Sequence, residues 1–220
     1  MSLPMINIID IIQVAIVLAV SIGLHEYAHA YVSYKFGDPT PKLQWRLTPN
    51  PLKHIDPIGF AMIFLVHFGR GKPVQINPSY YKNPRRDELL VALAGPATNL
   101  LLALSAVLIL IMYSLAVWYN LNVLFEQSDL FVSFWFLFAS INISLAVFNM
   151  LPIPPLDGFR LVKMFFWNWA KQIEQYSLYI SLAFLFLIMG PGSNIFSFIV
   201  GWATDWILRL FFAIFGQVLY

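Results

Sequence analysis

The chain has 220 residues, 60% hydrophobic and 11% charged, with a formal charge of +2 and no cysteine. A soluble domain is about 25% charged, so lipid must solvate much of this surface, and no basic excess points to nucleic acid. Disulfides, thiolate-held metals, iron–sulfur clusters and thiol nucleophiles are excluded as well, which leaves His, Asp and Glu to hold any metal.

Long apolar segments at about 6–33, 88–118, 130–151, 173–190 and 194–215 are predicted to cross the bilayer. The first has no basic residue before it and no small-residue cleavage site after it, so it reads as a span and not a removable signal. It ends Leu24-His25-Glu26-Tyr27-Ala28-His29, an H-E-x-x-H pattern. On a helix, positions 25 and 29 share a face, where two imidazoles can hold one metal ion. Glu26 projects beside them and can take a proton from water at that metal. Three such groups in an apolar helix are hard to tolerate without a metal.

Between the first two spans, a short apolar piece at about 57–69 is too brief to cross and suits a re-entrant or interfacial segment. Lys42–Leu47 and Lys72–Asn77 have partial period-two patterns and are expected as strands of a small β-like loop region. In the second span, Gly95 and Ala97 mark close helix packing, and Asn99 is expected to tie spans together. Phe131, Phe134, Trp135, Phe136 and Phe138 in the third are expected to face lipid or pack.

The third span ends in Asn149-Met150-Leu151-Pro152-Ile153-Pro154-Pro155-Leu156-Asp157-Gly158, whose prolines stop a helix. Irregular backbone at membrane depth is tolerated only against protein or a wet cavity. Two histidines leave a catalytic zinc one protein ligand short. His54, His67, Asp38, Asp56 and Asp157 are the candidates, and Asp157 is favoured because the third span delivers it to the side of His25 and His29. Phe165, Phe166, Trp167 and Trp169 beside Lys163 and Lys171 suit an interfacial helix, and Asp205 and Arg209 fit an i,i+4 pair.

Five spans with the N-terminus outside put all 13 basic residues on one side, which the positive-inside rule makes cytoplasmic. The connections at 119–129 and 190–193 hold Glu126 and Asp129 but no Lys or Arg. The expectation is therefore a multi-pass cell-membrane protein with its charged centre toward the cytoplasmic side. It forms a single all-α polytopic domain over 1–220, with a core at about 6–165 and a C-terminal helical hairpin at about 173–215.

His25-Glu26-Tyr27-Ala28-His29, together with Asn149, Pro152, Pro155, Leu156, Asp157 and Gly158, resembles the site-2 protease family of intramembrane zinc metalloproteases. Ala94-Gly95-Pro96-Ala97-Thr98-Asn99 is similar to a further signature of that family, as is Asn50–Gly59. The resemblance covers about residues 20–165 and suggests a minimal form without PDZ or nucleotide-sensing domain. It implies one Zn2+ per chain on His25, His29 and Asp157, Glu26 as catalytic base, and a transmembrane protein or peptide as substrate. Asn149 is left with two readings, an oxyanion donor or a helix–helix hydrogen bond. His54, Asp56 and His67 are expected at the rim of a polar channel, as interfacial or gating residues. Control by a regulatory membrane partner or by prior trimming of the substrate is expected because no sensor segment is visible. The rival readings are a metal or proton transporter and a non-catalytic binder of membrane segments. Glu26 disfavours transport, which needs no carboxylate held beside the metal.

Overall fold

Asn7 starts the first helix, α1 (Ile8–Lys35), by accepting a hydrogen bond from the Ile9 amide at 3.1 Å. The computed structural model to which it belongs describes residues 7–57, 59, 71–119 and 129–216. The expected piece at about 57–69, including His67, lies almost wholly outside them. With 28 residues, α1 is about 42 Å long, more than the roughly 30 Å hydrocarbon thickness. Gly37, at φ 101°, stops it in the left-handed conformation that glycine adopts without strain.

Asp38 follows and organises the next turn. Its Oδ1 accepts from the Thr40 amide at 2.9 Å, which starts the short helix α2 (Thr40–Leu43). The expected strand at 42–47 is therefore a helical turn and a bend. Trp45, at φ 58°, could not continue a strand. The strand expected at 72–77 is not formed either: these residues have no regular secondary structure, and the bridge pairing beside them is the antiparallel contact of Ile55 with Gly71.

The helix α3 (Pro84–Trp118) begins at Asn83, whose amide donates to Asp87 Oδ2 at 3.0 Å while Pro84 supplies a preset φ. It packs chiefly against α1 and against α4 (Asp129–Asn149). Ala103, Ala106 and Ala139 are fully buried there, and their small side chains let the backbones approach. Val17, Val107, Phe138 and Ile143 fill the remaining space, and Leu208 joins them from α8 (Ser193–Gly216).

After the proline-rich break come α5 (Phe159–Phe165) and α6 (Trp167–Glu174). Phe165, Phe166 and Trp169 are exposed on this elbow, in keeping with an interfacial placement. The expected span at 173–190 is broken. The helix α7 (Ser177–Met189) leaves α6 at a bend of 77°, where Glu174, Gln175 and Tyr176 interrupt the apolar run. At 13 residues α7 is only about 20 Å long. Among the described residues, four helices, α1, α3, α4 and α8, are long and apolar enough to cross a membrane, and the bent pair makes a fifth crossing if it counts as one span. The architecture is an all-α polytopic membrane protein. The expected Asp205–Arg209 pair forms on α8 at 2.8 Å.

Candidate active site

One helical turn separates His25 from His29, and the two rings meet edge to face with their Nε2 atoms 3.0 Å apart. The break after α4 brings Asp157 to them, its Oδ2 lying 3.2 Å from each Nε2. Gly158 makes that turn possible. Its amide donates to Asn149 O at 2.7 Å, and a Cβ there would lie 2.6 Å from Leu151 O.

The other ring nitrogens settle the tautomers. His29 Nδ1 lies 2.6 Å from the Val91 carbonyl, which can only accept, so His29 donates from Nδ1. His25 Nδ1 lies 2.6 Å from Asn99 Oδ1 and donates likewise. In the neutral imidazoles both Nε2 atoms then carry lone pairs, and with Asp157 Oδ2 they form three acceptors and no donor. Asp157 Oδ2 is buried without a hydrogen-bond partner. A cation satisfies such a set. Tetrahedral zinc with bonds of about 2.0–2.1 Å separates its ligand atoms by about 3.3–3.4 Å, close to the 3.0–3.2 Å edges here. The residues fit a zinc ion by donor type, tautomer and spacing.

Gly95 backs this cluster from α3. A Cβ there would stand 2.6 Å from His25 Nε2, so its close packing is against the candidate ligands themselves. Gly95→Ala is expected to weaken zinc binding about tenfold or more, from an overpacking cost of about 1–3 kcal/mol. Chelator competition on the purified variant checks this, and unchanged affinity would show that the rings have room to move.

Glu26 stands beside the triangle and outside it. Its Oε2 accepts from the Val74 amide at 2.9 Å, so the segment after Gly71 reaches across to the carboxylate. Both face a cavity of about 470 Å³ that runs between α1, the end of α4 and α7. Its wall is mainly apolar, with Ile22, Phe148, Leu182 and Leu185, and Asn149 contributes to it. Asn149 Nδ2 donates to Leu145 O at 2.9 Å within its own helix, so one of its two N–H groups is occupied there.

The other ligand candidates are placed elsewhere. His54 is fully buried and does not line this cavity. Its Nε2 donates to Thr48 O at 2.8 Å, and burial pushes its pKa below the ordinary value. Asp56 is half-buried outside the ligand triangle. Asp38 is fully buried and accepts from Ser33 Oγ at 2.8 Å and from the Asn77 amide at 2.7 Å, in addition to Thr40. Burial pushes its carboxyl up, but the bonds from Thr40, Asn77 and Ser33 prevail and hold it below the ordinary value. Its stabilisation is therefore complete above the unfolded pKa of about 3.9 and lost as pH falls through the lower folded value. Thermal melts in detergent should show wild type losing more stability between about pH 5 and 3 than Asp38→Asn does. Parallel losses would remove this role.

Asn142 and Ser21 had no place in the sequence reading. Both are fully buried, and both join Asn99 behind His25. Asn99 does tie spans together as expected. The available signal for Asn142 was an amide in the middle of an apolar helix.

Comparison with known proteins agrees with this chemistry. The profile of Peptidase family M50 matches residues 13–130 and 119–188. "Putative zinc metalloprotease YwhC" of Bacillus subtilis is 39% identical over 206 residues, 93% of each chain. Rip2 of Mycolicibacterium smegmatis, with the same printed description, is 32% identical over 145 residues, 63% of this chain and 51% of its own length. Rip2 of Mycobacterium tuberculosis is 28% identical over 194 residues, 84% of this chain and 70% of its own. No solved structure matches the chain. The profile takes in most of the sequence and the YwhC similarity runs nearly end to end, so the chain belongs to peptidase family M50.

Proposed function

We propose that this chain is a zinc-dependent endopeptidase that cuts other membrane proteins within or next to their spanning segments. The observation that carries this reading is the triangle of acceptors from His25, His29 and Asp157, with the Glu26 carboxylate beside it on a largely apolar cavity. His25, His29 and Asp157 would hold one zinc ion per chain. When bound, zinc supplies Lewis acidity that polarises the scissile carbonyl and lowers the pKa of water to about 7. Glu26 takes the proton that the attacking water gives up and delivers it to the leaving amine. Asn149, on the cavity wall, turns its remaining N–H toward the oxyanion.

The peptide bonds of a helical substrate are shielded by neighbouring turns, so the target must unwind before its carbonyl reaches the site. Segment 72–77, which touches Glu26 through the Val74 amide, offers it backbone groups on which to add a strand. Proline at Gln75 should then slow cleavage while zinc stays bound, and unchanged cleavage would remove that segment from the mechanism. The one-sided distribution of the 13 basic residues supports a cell-membrane location with the site toward the cytoplasm and the N-terminus outside.

Mass spectrometry of products from a panel of single-span substrates in detergent tests the proposal. Cuts should map inside the apolar segment or within a few residues of it. Cuts confined to soluble tails would contradict the substrate class.

A further inference from the structure

Three buried polar side chains meet behind His25, each from a different helix. Ser21 lies on α1, Asn99 on α3 and Asn142 on α4, and each has no solvent exposure. The carbonyls at the ends of the network fix its direction. Asn142 Nδ2 donates to the Phe138 carbonyl at 2.9 Å and to Ser21 Oγ at 2.8 Å. A carbonyl cannot donate, so the Asn142 amide nitrogen must point that way, and its Oδ1 faces Asn99. Asn99 Nδ2 donates to that Oδ1 at 2.8 Å and to the Ser21 carbonyl at 3.4 Å. Asn99 Oδ1 is left to accept from His25 Nδ1 at 2.6 Å. All four amide N–H donors of the two asparagines are used, and neither amide can flip without breaking several bonds at once.

We infer that Asn142 is a positioning residue, which acts through Asn99 to hold His25 in the tautomer whose Nε2 lone pair faces the metal. Without Asn142, only the long 3.4 Å bond to the Ser21 carbonyl still holds the Asn99 amide, which can then turn over and present N–H to His25 Nδ1. The ring then carries its proton on Nε2 and cannot ligate. This rests on the zinc reading above and extends it to a residue that never touches the ion. A partner behind a ligating histidine typically changes metal affinity by about 10–100-fold. Asn142 stands one step further back, so about tenfold is expected.

The test is a double-mutant cycle read by chelator competition for zinc and by the visible spectrum of the cobalt-loaded protein. Asn142→Ala should weaken zinc binding about tenfold and alter the cobalt bands. Asn99→Asp offers His25 an acceptor whichever way its side chain turns. In that background Asn142→Ala should change affinity by no more than about twofold. A merely structural role would cost the same in both backgrounds. Thr204→Val, which removes the 3.1 Å contact of Thr204 with Ser144 elsewhere in the bundle, should leave affinity unchanged. If Asn142→Ala does not fold, Asn142→Leu fills similar space and carries the same expectation. Wild-type affinity in the single variant, or equal losses in both backgrounds, would overturn the relay. A folded wild-type chain that takes no zinc would sink the metal reading itself, and the relay with it.

Discussion

Glu26→Gln is expected to cut the rate of peptide-bond cleavage by about 10²–10⁴-fold while leaving bound zinc unchanged. Glutamine has nearly the same shape and can still accept from the Val74 amide, which lies 2.9 Å from Glu26 Oε2. It cannot take a proton from water. Glu26 is also not part of the ligand triangle, so its charge is not needed to hold the ion. Zinc content and single-turnover cleavage, measured on the same preparation, separate the two functions. A variant that loses its zinc would make Glu26 a ligand, and one that keeps its rate would remove it as the base.

Asp157→Ala should weaken zinc binding by at least about 100-fold, more than a residue behind the ligands would, and cleavage should vanish with it. The substitution leaves two neutral nitrogens 3.0 Å apart with no charge to balance a divalent ion. His54→Ala and Asp56→Ala serve as comparisons, because neither residue belongs to the triangle. Their zinc affinity should match wild type even where His54→Ala lowers stability through the lost Thr48 contact. An Asp157→Ala protein that still binds zinc tightly would mean that another carboxylate or histidine completes the site.

The parts of this site that were legible in the sequence are those fixed by local geometry. Helical spacing alone puts His25 and His29 on one face, and three prolines alone break the chain before Asp157. What stayed hidden depends on contacts between distant segments. The Val74 amide on Glu26 is a backbone group, and no side-chain pattern announces it. Asn142 was visible as a polar residue within an apolar span, but its role depends on α3 presenting Asn99 at 2.8 Å. The span expected at 173–190 was begun too early, because Glu174, Gln175 and Tyr176 close α6 and the apolar helix α7 starts only at Ser177. The strand expected at 42–47 failed because Asp38 starts a helical turn at Thr40, a local side-chain bond that outweighs a weak alternation.

Zinc removal and restoration, followed by cleavage, tests the central claim most directly. The purified protein would be stripped with a chelator, checked for retained helicity, and assayed on a single-span substrate before and after one equivalent of zinc. Cleavage should disappear with the metal and return as zinc approaches one ion per chain. Cleavage that continues unchanged in the stripped protein, or a folded chain that takes up no zinc, would contradict the account.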